Sequence, residues 1–292
     1  MRKNDKVLIL GSLGNLGNQI VRIFGNEYRL VCWDREDVDV LDYELLEEKI
    51  EEIKPNIIIN TVAYNAVDKC EEDDVEFKKA QKLNGDVAGV LADITLRLDA
   101  ILVHYVSDYV FDGKKQEGYI ENDATCAISK YGETKIMGET EILKRKDLGL
   151  KYYLVRTSKL FGPKGSSEES KPSFFDIMLK IGKEKERLDV VDEEMSCFTY
   201  TTDLAIATKE LVEAKKKYGI YHLVNEGACT WYEAVLVLFK LANIKTKVSP
   251  VNSDKFPRPA KRPKFSVLKN TKIHKMRDYK EALREYLDIC GN

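Results

Sequence analysis

A tyrosine and a lysine four residues apart stand in the run Lys130-Tyr131-Gly132-Glu133-Thr134-Lys135. On a helix this spacing projects a phenol and an amine from one face, within reach of one bound ligand. The pair could move a proton. A phenol titrates near pH ~10, and an ammonium that lowers it by two or three units favours the phenolate by roughly 3–4 kcal/mol. With 15 tyrosines in the chain, chance supplies about one or two such pairs, and Tyr131 with Lys135 is the one present. A solvated helical face is the alternative, so the segments around the pair must decide.

The first of those segments is Lys6 to Leu10, an aliphatic run expected to be a strand, followed by Gly11-Ser12-Leu13-Gly14-Asn15-Leu16-Gly17 and a helical stretch from Gln19 to Phe24. A glycine-rich turn between strand and helix is a phosphate site. Gly11 makes the tight turn, Gly14 lets the backbone approach a pyrophosphate, and Gly17 lets helix and strand pack closely. Arg29 to Trp33 reads as a second strand that delivers Asp34 and Arg35 to the position where a dinucleotide fold reads the ribose. Asp34 would accept from a free 2′-hydroxyl and repel a 2′-phosphate, whereas Arg35 would pair with that phosphate. Tolerance of both NADH and NADPH is the expectation.

Asp42 is expected to cap a helix over Leu45 to Ile53 that stops at Pro55, and Asn56 to Asn60 is expected to be a strand covered on both faces. One long helix is expected from Val75 to Leu98. Ala100 to Tyr105 reads as a fourth strand, which leaves Ser107 and Asp108 at its carboxyl end, where open parallel sheets bind ligands. Further helices are expected over Phe174 to Ile181, from a cap at Asp203 through Val212, and over Tyr232 to Leu241. The polar run Gly165 to Ser170 reads either as a mobile loop at the substrate entrance or as a solvated connection. The basic, proline-rich run Lys255 to Pro263 reads either as a diphosphate clamp or as a surface linker. His104 and His222 fall on strands and read as structural.

Composition narrows the function. Lys+Arg 47 against Asp+Glu 49 gives a net charge of -2, with both signs interleaved, and nothing asks for nucleic acid. The 6 cysteines are scattered without a C-x-x-C pair or a Cys/His cluster, so no metal site is expected and a reducing cytoplasm fits. No run has the ~20 apolar residues of a membrane span, and Val7 to Leu10 is too short for a signal peptide.

Taken together, several motifs resemble the dTDP-4-dehydrorhamnose reductase family of the extended short-chain dehydrogenase/reductase superfamily. They are the G-x-x-G-x-x-G turn, the segment Ala63 to Glu71, the run Ser107-Asp108-Tyr109-Val110-Phe111-Asp112-Gly113, and the Tyr131/Lys135 pair. Downstream, Arg156-Thr157-Ser158, Phe161-Gly162, Thr199 to Ala205, Gly219 to Leu223, Trp231-Tyr232-Glu233 and Arg262-Pro263 are similar as well, so the likeness runs through the whole chain. It implies an α/β fold: a Rossmann doubly wound parallel sheet from residues 1–165 and 200–225, with a small C-terminal substrate-binding lobe from 166–199 and 226–292. It implies reduction of a nucleotide-linked 4-keto-6-deoxy sugar by NADPH or NADH. Tyr131 would protonate the C4 oxygen, Lys135 would hold the nicotinamide ribose and tune Tyr131, and Ser107 would bond the same carbonyl. Asp39 and Val40 would lie near the adenine, and Ala63 and Tyr64 would line the cofactor. Asp108, Lys159 and Arg262 would face the sugar nucleotide. A homodimer, with or without an interfacial metal, is also implied.

Two rivals stand beside that reading. A non-catalytic dinucleotide-binding regulatory subunit resembles the same family, though retention of Ser107, Tyr131 and Lys135 favours an enzyme. Nucleotide-sugar dehydratases and epimerases share the glycine turn and the Tyr/Lys pair, but the dehydratases carry Asp-Glu where this chain has Asp108-Tyr109, and a phenol at its usual pKa does not replace that carboxylate. The chain also departs from the family pattern. Lys159 replaces a tryptophan that stacks on the sugar, Asp192 to Thr199 replaces D-D-Q-x-G-x-P-T, and Ala127-Ile128-Ser129 lacks the expected proline.

Overall fold

The computed structural model describes residues 4–290. Its centre is a six-stranded, all-parallel sheet in the order β2-β1-β3-β4-β5-β9. The strands are β1 (Lys6–Leu10), β2 (Arg29–Trp33), β3 (Ile57–Asn60), β4 (Ile101–Ser107), β5 (Lys151–Thr157) and β9 (Gly219–His222). Between them run α1 (Asn15–Phe24), α2 (Tyr43–Ile53), α3 (Val67–Glu72), α4 (Asp74–Ala80), α5 (Val87–Arg97), α6 (Lys130–Leu143) and, before β9, α8 (Thr201–Glu213). The chain leaves β1 for β2, then crosses back to β3 on the other side of β1. That reversal opens a crevice at the carboxyl ends of β1 and β3.

Alternate residues of each strand supply opposite faces. Leu8, Leu10, Ile58, Leu102 and Leu154 pack against Leu46, Ile50, Leu91 and Ile142 of α2, α5 and α6. Val7, Ile9, Ile59, Val103 and Val155 pack against Ile20, Phe24, Leu204 and Leu211 of α1 and α8. The fold is therefore a doubly wound, Rossmann-type α/β sheet. A third apolar cluster, Phe161, Phe175, Phe198, Tyr200, Leu238, Leu283 and Tyr286 among its members, lies apart from the sheet. It is built by β6 (Leu160–Phe161), α7 (Phe174–Glu184), β7 (Arg187–Val191), β8 (Thr199–Tyr200), α9 (Trp231–Leu241), β10 (Lys247–Val251) and α10 (Tyr279–Cys290). Its strands pair β6 with β8 and β7 with β10, in parallel.

Several sequence expectations shift. The helix expected from Val75 to Leu98 is interrupted by a π-helical turn over Gln81–Asp86. Asn84, buried there, accepts from the Tyr64 amide at 2.9 Å and donates to the Tyr64 carbonyl at 3.1 Å and the Thr134 hydroxyl at 2.9 Å. The wider turn aims that amide inwards, a frequent origin of π-bulges at functional sites. Asp203 does not cap α8. It lies inside the first turn and holds Arg277 through two bonds of 2.8 Å, while Asn225 donates to it at 2.7 Å. Strand β4 runs on to Ser107, so that residue ends the strand. Asp42 does cap α2, accepting from the Leu45 amide at 3.2 Å, but the helix stops at Lys54, whose φ is 45°, before Pro55.

Candidate active site

The glycine turn sits at the crevice. Gly11 has φ +76°, open to glycine without strain, and a Cβ on Gly17 would stand 2.0 Å from the Gly11 carbonyl oxygen, so both positions require glycine. Helix α1 opens at Gly14 with no side chain capping it, which leaves its N-terminus to serve an anion. Ser12 and Leu16 are buried under the turn, and Leu13 is 40% exposed on its outside. Asp34, at the end of β2, accepts from the Leu13 amide at 3.0 Å and the Arg35 amide at 2.9 Å. The Asp34 carboxylate is thereby tied to the glycine turn. Asp39 is exposed and accepts from the Leu41 amide at 3.0 Å, whereas Val40 is part of the core.

The run Gly165 to Ser170, expected as a mobile loop at the substrate entrance or a solvated connection, lies in a strap that bonds to this turn. Gly165 donates to Asn15 Oδ1 at 2.8 Å, Ser167 donates to the Leu13 carbonyl at 3.0 Å, and Asn15 Nδ2 reaches the Lys171 carbonyl at 3.0 Å. Asn18 adds a bond to the Ser166 hydroxyl at 2.9 Å. Arg35 pairs with Glu169 of the strap at 2.6 Å.

Across the crevice, Tyr131 enters from the first turn of α6, which Ser129 caps by accepting from the Gly132 amide at 3.2 Å. The phenol is 6% exposed, donates to Asn65 Oδ1 at 3.3 Å, and packs edge-on against Tyr109 with ring centroids 5.6 Å apart. Lys135, one turn on, holds its ammonium 5.8 Å from the Tyr131 ring centroid. Burial is the main cause that raises the phenol above its usual pKa, with Asp108 and Tyr109 adding to it and the Ser107 hydroxyl opposing. The shift runs opposite to the one the Tyr/Lys spacing suggests, because the ring is shut away from water. Burial also pushes the Lys135 amine down, to about 8, against a smaller upward effect of Cys70. The resting pair is thus a protonated phenol above a weakened ammonium.

Ser107 donates to Asp108 Oδ1 at 2.9 Å and accepts from the Tyr109 amide at 3.2 Å. Asp108 is 2% exposed, and its other oxygen takes the hydroxyls of Ser158 at 2.8 Å and Ser266 at 2.6 Å. Burial raises its pKa, and the three hydroxyls work against that rise. Ala63 is half-buried beside the crevice, and the Tyr64 ring is buried with its hydroxyl on Glu76.

Lys159 adopts φ 37° and lays its ammonium 3.5 Å from the Trp231 ring centroid and 5.1 Å from that of Phe198. Burial lowers its pKa to about 8, opposed by Glu194 and Asp108. The departing run 192–199 is held from both sides: Met195 donates to the Lys264 carbonyl at 2.8 Å, and Ser196 and Cys229 exchange backbone bonds of 3.0 and 3.2 Å. This sets Glu194 to accept from the Trp231 indole at 2.8 Å and to pair with Arg258. Arg262 is likewise paired, gripping both oxygens of Asp68 on α3, one at 2.7 Å. Lys255 pairs with Asp189 as well, so the basic run 255–263 is fastened by three carboxylates.

Asn65, Asn84, Ser158, Ser266, Trp231 and Glu194 fall in segments that the sequence singles out but were given no site role there, since each matters through a partner distant in the chain. Among the described residues no group of three or more His, Cys, Asp or Glu side chains is placed to hold a metal, and no helix is long and apolar enough to cross a membrane.

The family model described as the RmlD substrate binding domain matches residues 5–291. The chain is 33% identical to the Bacillus subtilis spore coat polysaccharide biosynthesis protein SpsK, over 97% of this chain and 96% of that protein. Among solved structures, a dTDP-4-dehydrorhamnose reductase from Clostridium acetobutylicum superposes with a TM-score of 0.90 at 36% identity, covering 98% of this chain and 100% of that one. A Bacillus anthracis dTDP-4-dehydrorhamnose reductase in complex with NADP also superposes with a TM-score of 0.90, at 32% identity, covering 98% and 99%.

Proposed function

The chain belongs to the RmlD substrate binding domain family, and we propose that it is an NADH- or NADPH-dependent reductase of the C4 carbonyl in a dTDP-linked 4-keto-6-deoxy sugar. The observation that carries this reading is the convergence of Ser107, Tyr131 and Lys135 at one crevice mouth, opposite an uncapped glycine turn. Relatives of high coverage that act on such sugars, one of them binding NADP, support the substrate and the cofactor.

The residues present fit a dinucleotide. The Gly11–Gly17 turn and the uncapped end of α1 suit a pyrophosphate, and the Asp34 carboxylate suits a ribose. When bound, the nicotinamide supplies the hydride that C4 receives. Tyr131 donates its proton to the C4 oxygen as negative charge builds there, and its raised pKa keeps that proton in place until then. The phenolate left behind lies beside the Lys135 ammonium, which stabilises it and, with a pKa of about 8, can return a proton to it. Ser107 positions the carbonyl, and buried Asp108 orients Ser107. Tyr109, next to Asp108, offers no carboxylate for drawing off a proton at C5, so reduction is favoured over elimination of water. In this reading residues 1–165 and 200–225 hold the dinucleotide and 166–199 and 226–292 the sugar nucleotide, except that residues 166–171 lie on the glycine turn and belong to the dinucleotide side.

The test is loss of NADH or NADPH absorbance with dTDP-4-keto-6-deoxy sugars, in wild type and in Tyr131→Phe. The variant should fold normally and lose about 10²–10⁴ in kcat. Turnover unaffected by the change would remove Tyr131 from the mechanism. No turnover with any such sugar would favour a non-catalytic dinucleotide-binding role.

A further inference from the structure

The strap over the glycine turn brings a carboxylate to the ribose-reading position, and we infer that Glu169 selects between the two nicotinamide dinucleotides, disfavouring the 2′-phosphorylated one. The inference rests on the proposed reductase reading and adds to it a residue that neither the glycine turn nor β2 supplies.

Four observations meet here. Arg35 is the cation expected to pair with a 2′-phosphate, and its guanidinium already lies 2.6 Å from the Glu169 carboxylate. Asp34 is fixed by two backbone amides, and Asp37 accepts from the Asp34 amide at 2.8 Å, so further carboxylates crowd the same turn. The nearby cation on α2, Lys49, is drawn to the Asp37 carbonyl at 2.6 Å. Finally, Glu169 does not hang free in solvent, because bonds from Asn15, Asn18 and Leu13 dock its strap on the turn.

An exposed ion pair of this kind, with side chains 65% and 76% accessible, adds little to folding. Its effect falls on a third charge. A 2′-phosphate carries close to two negative charges, so it must either displace Glu169 from Arg35 or stand against Glu169 and Asp34 together. A 2′-hydroxyl meets no such repulsion and can donate to either carboxylate. The pair thus converts an arginine that would attract NADPH into one that is already neutralised.

Direct binding of NADH and NADPH by fluorescence titration, in wild type, Glu169→Gln and Arg35→Ala, reads this without relying on turnover. Wild type should bind NADH more tightly. Glu169→Gln should tighten NADPH by about fivefold while leaving NADH within about twofold, and added salt should shrink the change. Arg35→Ala in the Glu169→Gln background should abolish the gain. Equal binding of the two dinucleotides by wild type would overturn the inference, as would a Glu169→Gln variant with an unchanged ratio. No binding of either dinucleotide would overturn the reductase reading and the inference with it.

Discussion

A Cβ on Gly132 would stand 2.3 Å from the Tyr109 carbonyl oxygen and 2.8 Å from the Ala127 side chain. Helix α6 therefore approaches the turn after β4 as closely as backbone permits, and that approach brings Tyr131 to Tyr109 and Ser107. Gly132→Ala should push the first turn of α6 outwards. Overpacking of this kind costs about 1–3 kcal/mol, but the loss of kcat should exceed what unfolding explains, because the phenol moves with the helix. Thermal unfolding and steady-state kinetics on the same preparation separate the two effects.

Lys135 predicts opposite pH trends for activity and stability. Its amine is held at about 8 in the folded chain, below the usual lysine value of 10.5. Reduction should slow as pH rises through about 8, when the ammonium beside Tyr131 is lost. Stability runs the other way. Between the folded and unfolded pKa the unfolded chain binds more protons, so the penalty of burying this ammonium is fully present below about 8 and is relieved as pH rises towards 10.5. Lys135→Met should remove the activity and flatten that part of the stability profile, read by denaturant melts from pH 7 to 10.5.

Strands β1 to β4 and the glycine turn were legible in the sequence because their causes are local: aliphatic runs covered on both faces, and glycines at a strand end. What was not legible depends on tertiary partners. Residues 74–97 carry a helical pattern throughout, and only the Tyr64 backbone and Thr134, reached in space, show why the ladder widens at Asn84. The strap docks through contacts such as Gly165 to Asn15, which no local pattern announces. The upward shift of the Tyr131 phenol follows from how completely the fold shuts the ring from water, whereas the Tyr/Lys spacing by itself suggested the reverse.

Asn84 joins three separate segments, and its replacement should show it. Asn84→Leu fills the space but leaves the Tyr64 amide and carbonyl without partners, and each buried group so orphaned costs about 1–3 kcal/mol. Asn84→Asp keeps the acceptor for the Tyr64 amide and loses the two donations. The leucine variant should therefore be the less stable of the two, and both should lose activity through movement of the Tyr64–Asn65 segment that meets the phenol. Equal stability of wild type and Asn84→Leu would show that the π-helical turn stands without this amide.

Lys159 is the position where this chain departs most plainly in chemistry, a cation in place of an aromatic ring. The structure shows that cation caged by Trp231 and Phe198 and facing the carboxylates of Glu194 and Asp108, with its pKa pulled to about 8. A cation–π contact of this closeness contributes about 1–2 kcal/mol where water is excluded. Lys159→Met keeps the length of the side chain and removes its charge. If Lys159 serves the sugar nucleotide, the variant should raise KM for that substrate by about tenfold and leave the KM for NADH unchanged, since the glycine turn and Asp34 do not touch it. A change in both constants together would instead mean that Lys159 holds the run 192–199 in place, where it donates to the Glu194 carbonyl at 3.4 Å.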